Sequence, residues 1–143
     1  WHHGRGVGRL RPEGPVRLFQ HGGQAEPRAG QAGAVHEEGD STAFSYETDK
    51  DLAQSTSFQR LSVGGTVETD ADASATGILH LFDPSNTTFV KHFMSRVQCM
   101  NITYSQEEYV AGYFNTTSAI DEIQFKFSSG NIDSGTIKMY GVT

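Results

Sequence analysis

Asp70, Asp72 and Ser74 stand at alternate positions in ETDADASATG, the spacing with which a calcium-binding loop begins. Such a loop needs glycine at its sixth place and glutamate at its twelfth, where this sequence has Ala75 and Leu81. The stretch therefore reads as a solvated acidic loop. His2 and His3 could share a metal, but no third ligand stands at a useful spacing. His80 and His92 flank a turn at Asp83–Asn86 and would approach one another across a hairpin. With no carboxylate in their pattern, outward polar positions account for them better.

The carboxylates offer no acid pair. Glu107-Glu108 and Asp121-Glu122 are adjacent in sequence, and neighbours on a strand point to opposite faces. No Ser/His/Asp order or nucleophile elbow stands out. The sequence thus predicts no enzyme, no cofactor and no metal. Tyr104, Tyr109, Tyr113 and Tyr140 are the candidates for stacking on a sugar, against the plainer reading of a rim around the core.

One glycine-rich loop, SSGNIDSG at 128–135, could cradle an anion or turn a hairpin. An anion loop normally feeds a helix with Lys or Arg nearby, whereas here a strand-like run follows and Asp133 would repel an anion. Gly130-Asn131 and Ser134-Gly135 can each supply a turn. The hairpin reading is favoured, with Ile132 tucked under the loop against the core.

These residues need a scaffold, and the alternation in the sequence supplies one. In EIQFKFSS, Ile123, Phe125 and Phe127 share a face, while Glu122, Gln124 and Lys126 take the other. In GTIKMYGV, Ile137 and Met139 face one way, and Lys138 and Tyr140 the other. GILHLFDPS places Leu79 and Leu81 inward and His80 outward. Half-buried antiparallel strands produce this period of two. AFSYET, SFQRLSV, TFVKHFMSRVQCMNITY and YVAGYFN are further candidates, the long one as two strands or one bent strand. Only YSQEEYVAG could hold a helical turn. Seven or eight short strands between turns predict an all-β fold, an antiparallel β-sandwich or jelly roll.

Composition breaks near residue 42. Residues 1–42 hold nine of the 16 glycines and five of the seven arginines, and no Lys, Ile, Asn or Tyr. GRGVGRLRPEGPVRLF sustains neither period, so 1–42 is expected to be an extended Gly/Arg-rich arm and 43–143 the folded domain. The swap from GC-rich to AT-rich codon types also fits a fusion, or a reading-frame error upstream of Ser41.

At 143 residues the chain has length for one domain and one core. Its net charge of −6 argues against nucleic-acid binding, which needs a basic face. No apolar run is long enough to span a membrane, and no signal-peptide pattern opens the sequence. The single cysteine, Cys99, excludes an internal disulfide and reads as a small buried residue. Sequons at Asn86, Asn101 and Asn115 are expected by chance among 24 Ser and Thr in residues 43–143, and read as Thr-rich turns.

GILHLFDPSNTTFVKHFMSR and then AGYFNTTSAIDEIQFKFSSGNIDSGTIKMYGV resemble a family of small β-sandwich proteins encoded among the structural genes of tailed, especially marine, bacteriophages. Their members often finish in a pattern like SSGNI-x-SG-x-I-x-LYGI, where this chain has Met139 for Leu and Val142 for Ile. The resemblance covers residues 75–143 well, 43–74 loosely and 1–42 not at all. It implies a protein of the virion surface that decorates the capsid or forms part of a fibre, and carries no catalytic residues over. The partners implied are the major capsid protein or other fibre subunits, together with a symmetric homo-oligomer such as a trimer. A tail-fibre domain that binds a host glycan is the alternative.

Overall fold

The computed structural model describes residues 17–20, 27–53, 55–62, 73–100, 103–128, 132 and 134–142. The candidates Gly130, Asp70, Asp72, His2 and His3 lie outside the described residues. The described chain is all-β apart from one 3₁₀ turn at Thr48–Lys50. Its strands are β1 (Arg17–Gln20), β2 (Pro27–Glu37), β3 (Thr42–Tyr46), β4 (Gln59–Arg60), β5 (Ala75–Leu81), β6 (Lys91–Met100), β7 (Tyr104–Phe114) and β8 (Ile123–Lys126). They form a three-stranded sheet in the order β4-β1-β8 and a five-stranded sheet in the order β3-β2-β7-β6-β5. All the pairings are antiparallel.

The period of two explains the strands at the centre. Along β6, Lys91, Phe93, Ser95, Val97 and Cys99 are buried while the residues between them are exposed. On β7, Gln106, Glu108, Val110 and Phe114 are buried from the same side. Ala29, Leu61, Phe93, Val97, Val110 and Phe114 form the main core cluster, and the Phe93 and Phe114 ring centroids are 5.1 Å apart. Ile123 and Phe125 from β8 pack against it, with Leu79 and Leu81 from β5. One apolar cluster thus takes side chains from both sheets. Removing side chains of this size from water is the main favourable contribution to folding. Phe127 is also buried, so the inward face expected for Ile123, Phe125 and Phe127 holds.

The boundary expected near residue 42 is corrected by the pairing. β2 lies wholly within the residues read as an arm, yet it sits between β3 and β7. Its eleven residues pair with β7 from Pro27↔Phe114 to Glu37↔Tyr104. The β2–β3 hairpin crosses the compositional break, turning at Glu37–Ser41 where Asp40 adopts a φ of 62°. PRAGQAGAVHE does not look like a strand because its side chains are small, and that is what its neighbours require. A Cβ on Gly33 would lie 3.0 Å from a carboxylate oxygen of Glu108, itself fully buried.

Three local expectations are also corrected. YSQEEYVAG is strand rather than helical turn, because β7 must fill the gap between β2 and β6. The run at Ile137 and Met139 joins neither sheet, and those side chains are 65% and 72% exposed. Gly135 therefore opens no closing hairpin strand. Ile132 is 41% exposed and does not pin the loop to the core. Alternation shows that a segment has two unlike faces, but does not supply the neighbour to which it would bond.

Candidate functional site

Register places the exposed residues of the five-stranded sheet on one outer face. One row runs Tyr46, Ala32, Tyr109, Arg96, Ile78 across β3, β2, β7, β6 and β5. The next runs Phe44, Ala34, Glu107, Gln98, Thr76. On the other side of the first, Gly30, Ala111, Met94 and His80 line up, and Tyr113 stands opposite His92. Phe44, Tyr46, Ile78, Phe82, Met94 and Tyr109 are all large, apolar-bodied and exposed. The small residues of β2 make a trough between the β3 aromatics and Tyr109.

A polar network crosses this face. Arg96 Nε donates to Glu107 Oε1 at 2.5 Å, and the Tyr109 hydroxyl donates to Glu107 Oε2 at 2.8 Å. The Arg96 guanidinium also lies 5.6 Å from the centre of the Tyr109 ring. The hydrogen bond from Arg96, then that from Tyr109, holds the Glu107 carboxyl below its ordinary range. Sharing that carboxylate raises both Arg96 and Tyr109. Beside them Gln98 Nε2 donates to Ser105 Oγ at 3.0 Å. At the β3 edge the Tyr46 hydroxyl donates to Asp51 Oδ2 at 2.8 Å, which raises the tyrosine. Glu107 is an anion at neutral pH and fixes two neighbours. Planar polar groups held beside exposed rings can hydrogen-bond and stack, the two contacts by which an aromatic surface holds a hydroxyl-rich or flat partner.

The four candidate tyrosines divide. Tyr109 and Tyr113 share the outer face of β7, Tyr113 with its ring 5.9 Å from that of His92. Tyr104 follows the alternation of Gln106 and Glu108 on the opposite face, and Tyr140 is 75% exposed in the segment outside both sheets. His80 and His92 both lie outward as expected, His80 stacked against Phe82. Glu107 and Glu108 point to opposite faces, again as expected. Asn86 serves its turn, its Oδ1 accepting from the backbone of Thr88 at 2.6 Å and Phe89 at 2.8 Å.

Sequence reasoning missed Arg96, Phe44 and Tyr46, and weighed Glu107 only as half of an acid pair with Glu108. The available signal was KHFMSRVQCM, in which the outward positions carry His92, Met94 and Arg96 rather than short polar residues. On the inner face, burial raises the Cys99 thiol to about 11, with help from the Glu108 charge. Gln31 is also buried, and its amide has no hydrogen-bond partner among the described residues. Among the described residues no group of three His, Cys, Asp or Glu side chains is placed to hold a metal. Among them, too, no helix is long and apolar enough to cross a membrane. Comparison with family models, with curated proteins and with solved structures finds no match.

Proposed function

We propose that this chain is a structural and interaction protein of a bacteriophage particle, a capsid-decoration or head-fibre subunit built as a two-sheet sandwich. The carrying observation is the outer face of the five-stranded sheet. Phe44 is 73% exposed there and Ile78 62%, on a face that the chain's own second sheet does not cover. Monomeric proteins rarely leave such a surface open without a use for it, and contact with neighbouring subunits is such a use. The resemblance of residues 75–143 to phage structural proteins supports the particle as the setting. The acidic balance of −6 suits a protein displayed densely in solution. Immunogold labelling of purified particles tests this reading. Label over the head supports it, and particles that carry no label refute it.

A second reading has its own observation. Tyr109 and Tyr113 stand on one strand face beside Arg96 and Glu107, an arrangement suited to a host glycan at a fibre tip. A glycan array distinguishes it: saturable binding that Tyr109→Ala abolishes supports the glycan, and a blank array with label on the head leaves the first reading standing.

A further inference from the structure

Residues 135–142 have the alternation of a strand, but they join neither sheet. Ile137, Met139, Tyr140 and Val142 are 65%, 72%, 75% and 95% exposed. From Thr136 to Val142 no backbone hydrogen bond is made among the described residues. A strand sequence that leaves its apolar side chains and its peptide groups in water lacks the neighbour that would satisfy both.

The five-stranded sheet has a matching vacancy at β3. This strand is exposed along its whole length, and it lies at the sheet edge. Glu37 N bonds Ser41 O and Glu47 N bonds Gln31 O, each at 2.9 Å, which fixes the alternation of the ladder. Residues 43 and 45 therefore face β2, while the N–H and C=O groups of Thr42, Phe44 and Tyr46 point away from the sheet. TAFSY contains no Lys, Pro or other charge, so the usual protections of an edge against pairing are missing. Charge also matches. Glu37, Glu38, Asp40, Glu47, Asp49 and Asp51 flank β3 in the sequence, with Lys50 the one Lys or Arg between residues 37 and 51, whereas 135–142 carries Lys138 and no acid.

We infer that residues 135–142 of one copy add to the free edge of β3 in a second copy, extending the five-stranded sheet between subunits. Ile137 and Met139 then lie beside Phe44 and Tyr46 on the outer face. Lys138 falls on the other side, with Ser45 and the acidic flank at Glu47. Main-chain pairing supplies affinity and the alternating side chains supply register, as in other strand additions. The inference concerns how copies of this chain meet, and holds whether or not they stand on a virus particle.

The test uses the full chain. Sedimentation velocity over a concentration series is expected to show assemblies heavier than the 15.6 kDa monomer. Ile137→Asp and Lys138→Glu should each weaken them by about tenfold or more. Both substitutions lie outside the sheets, so the melting curve of the monomer should not move. Phe44→Pro removes an edge-facing N–H without removing a bond to β2, and should weaken assembly likewise. Replacing Phe44 by a benzophenone amino acid, in a mixture of light and heavy-isotope protein, should cross-link light to heavy chains within residues 135–142. A monomer at every concentration overturns the inference. So do assemblies that all three variants leave intact, or cross-links confined to one copy or to other residues.

Discussion

The Tyr46 hydroxyl lies over Gly30, 2.6 Å from where a β-carbon on that residue would stand. The ring crosses the trough of β2 to reach this position, and the same hydroxyl donates to Asp51. Gly30→Ala should push the ring aside and break that bond. The Tyr46 phenol, raised chiefly by the Asp51 bond, should then titrate closer to its ordinary value of 10.0. Ultraviolet titration checks this, with Tyr46→Phe identifying the step. An unchanged Tyr46 titration in Gly30→Ala would show that the ring does not depend on the missing side chain.

Gly77 and Gly39 are expected to behave oppositely when changed to alanine. A Cβ at Gly77 would meet the Arg96 carbonyl oxygen and Val97 Cγ2, each at 2.8 Å, and neither the β6 backbone nor a packed valine can step away cheaply. Gly77→Ala should cost about 1–3 kcal/mol, the range for forcing extra volume into a packed site. Gly39 has nothing within 4 Å of that position. Gly39→Ala should be neutral or stabilise by about 0.4–1 kcal/mol, through the narrowed unfolded chain. Urea unfolding of the pair measures both.

Cys99 gives the fold an alkaline limit. Its thiol is raised from 9.0 to about 11, first by burial and then by the Glu108 charge. The folded protein therefore keeps this proton in a pH range where the unfolded chain has lost it. Stability is undiminished below the unfolded value near 9 and falls as pH rises from there toward 11. The loss is on the order of 2 kcal/mol. Cys99→Ala should lower stability at neutral pH but flatten the decline between these limits. Denaturant midpoints across that range decide, and parallel curves for the two proteins would refute it.

Deleting residues 1–42 should abolish cooperative unfolding, because it removes β2 from between β3 and β7. Calorimetry of residues 43–143 is the measurement. A sharp melt at the temperature of the whole chain would show that β7 can do without its partner on that side.

The strands legible in the sequence were those whose own side chains state their orientation. Phe93 and Val97, or Leu79 and Leu81, alternate with polar neighbours and mark a buried face directly. β2 carries its information elsewhere. Gly30 leaves room for Tyr46, and Gly33 leaves room for Glu108, so the reason for each glycine is a residue distant in sequence. The segment at Ile137 and Met139 shows the converse, a clear pattern with no partner strand among the described residues. The outer-face network was hidden for a related reason. Arg96 and Glu107 become neighbours only once β6 and β7 are in register, on the diagonal two residues out of line across the hairpin.

The order of strands also bears on how fast the molecule can assemble. β5, β6 and β7 form a meander, each strand pairing with the one before it, so the chain need close only short loops to build it. β2 reaches β7 across most of the intervening sequence, and β1 reaches β8 in the same way. Such distant pairings forfeit chain freedom before any contact repays it, and slow folding accordingly. The meander is therefore expected to form first and to wait with one side of β7 unpaired. In that interval the nascent molecule has an open strand next to Glu107 and Tyr109, and crowded synthesis would expose it to the wrong partner.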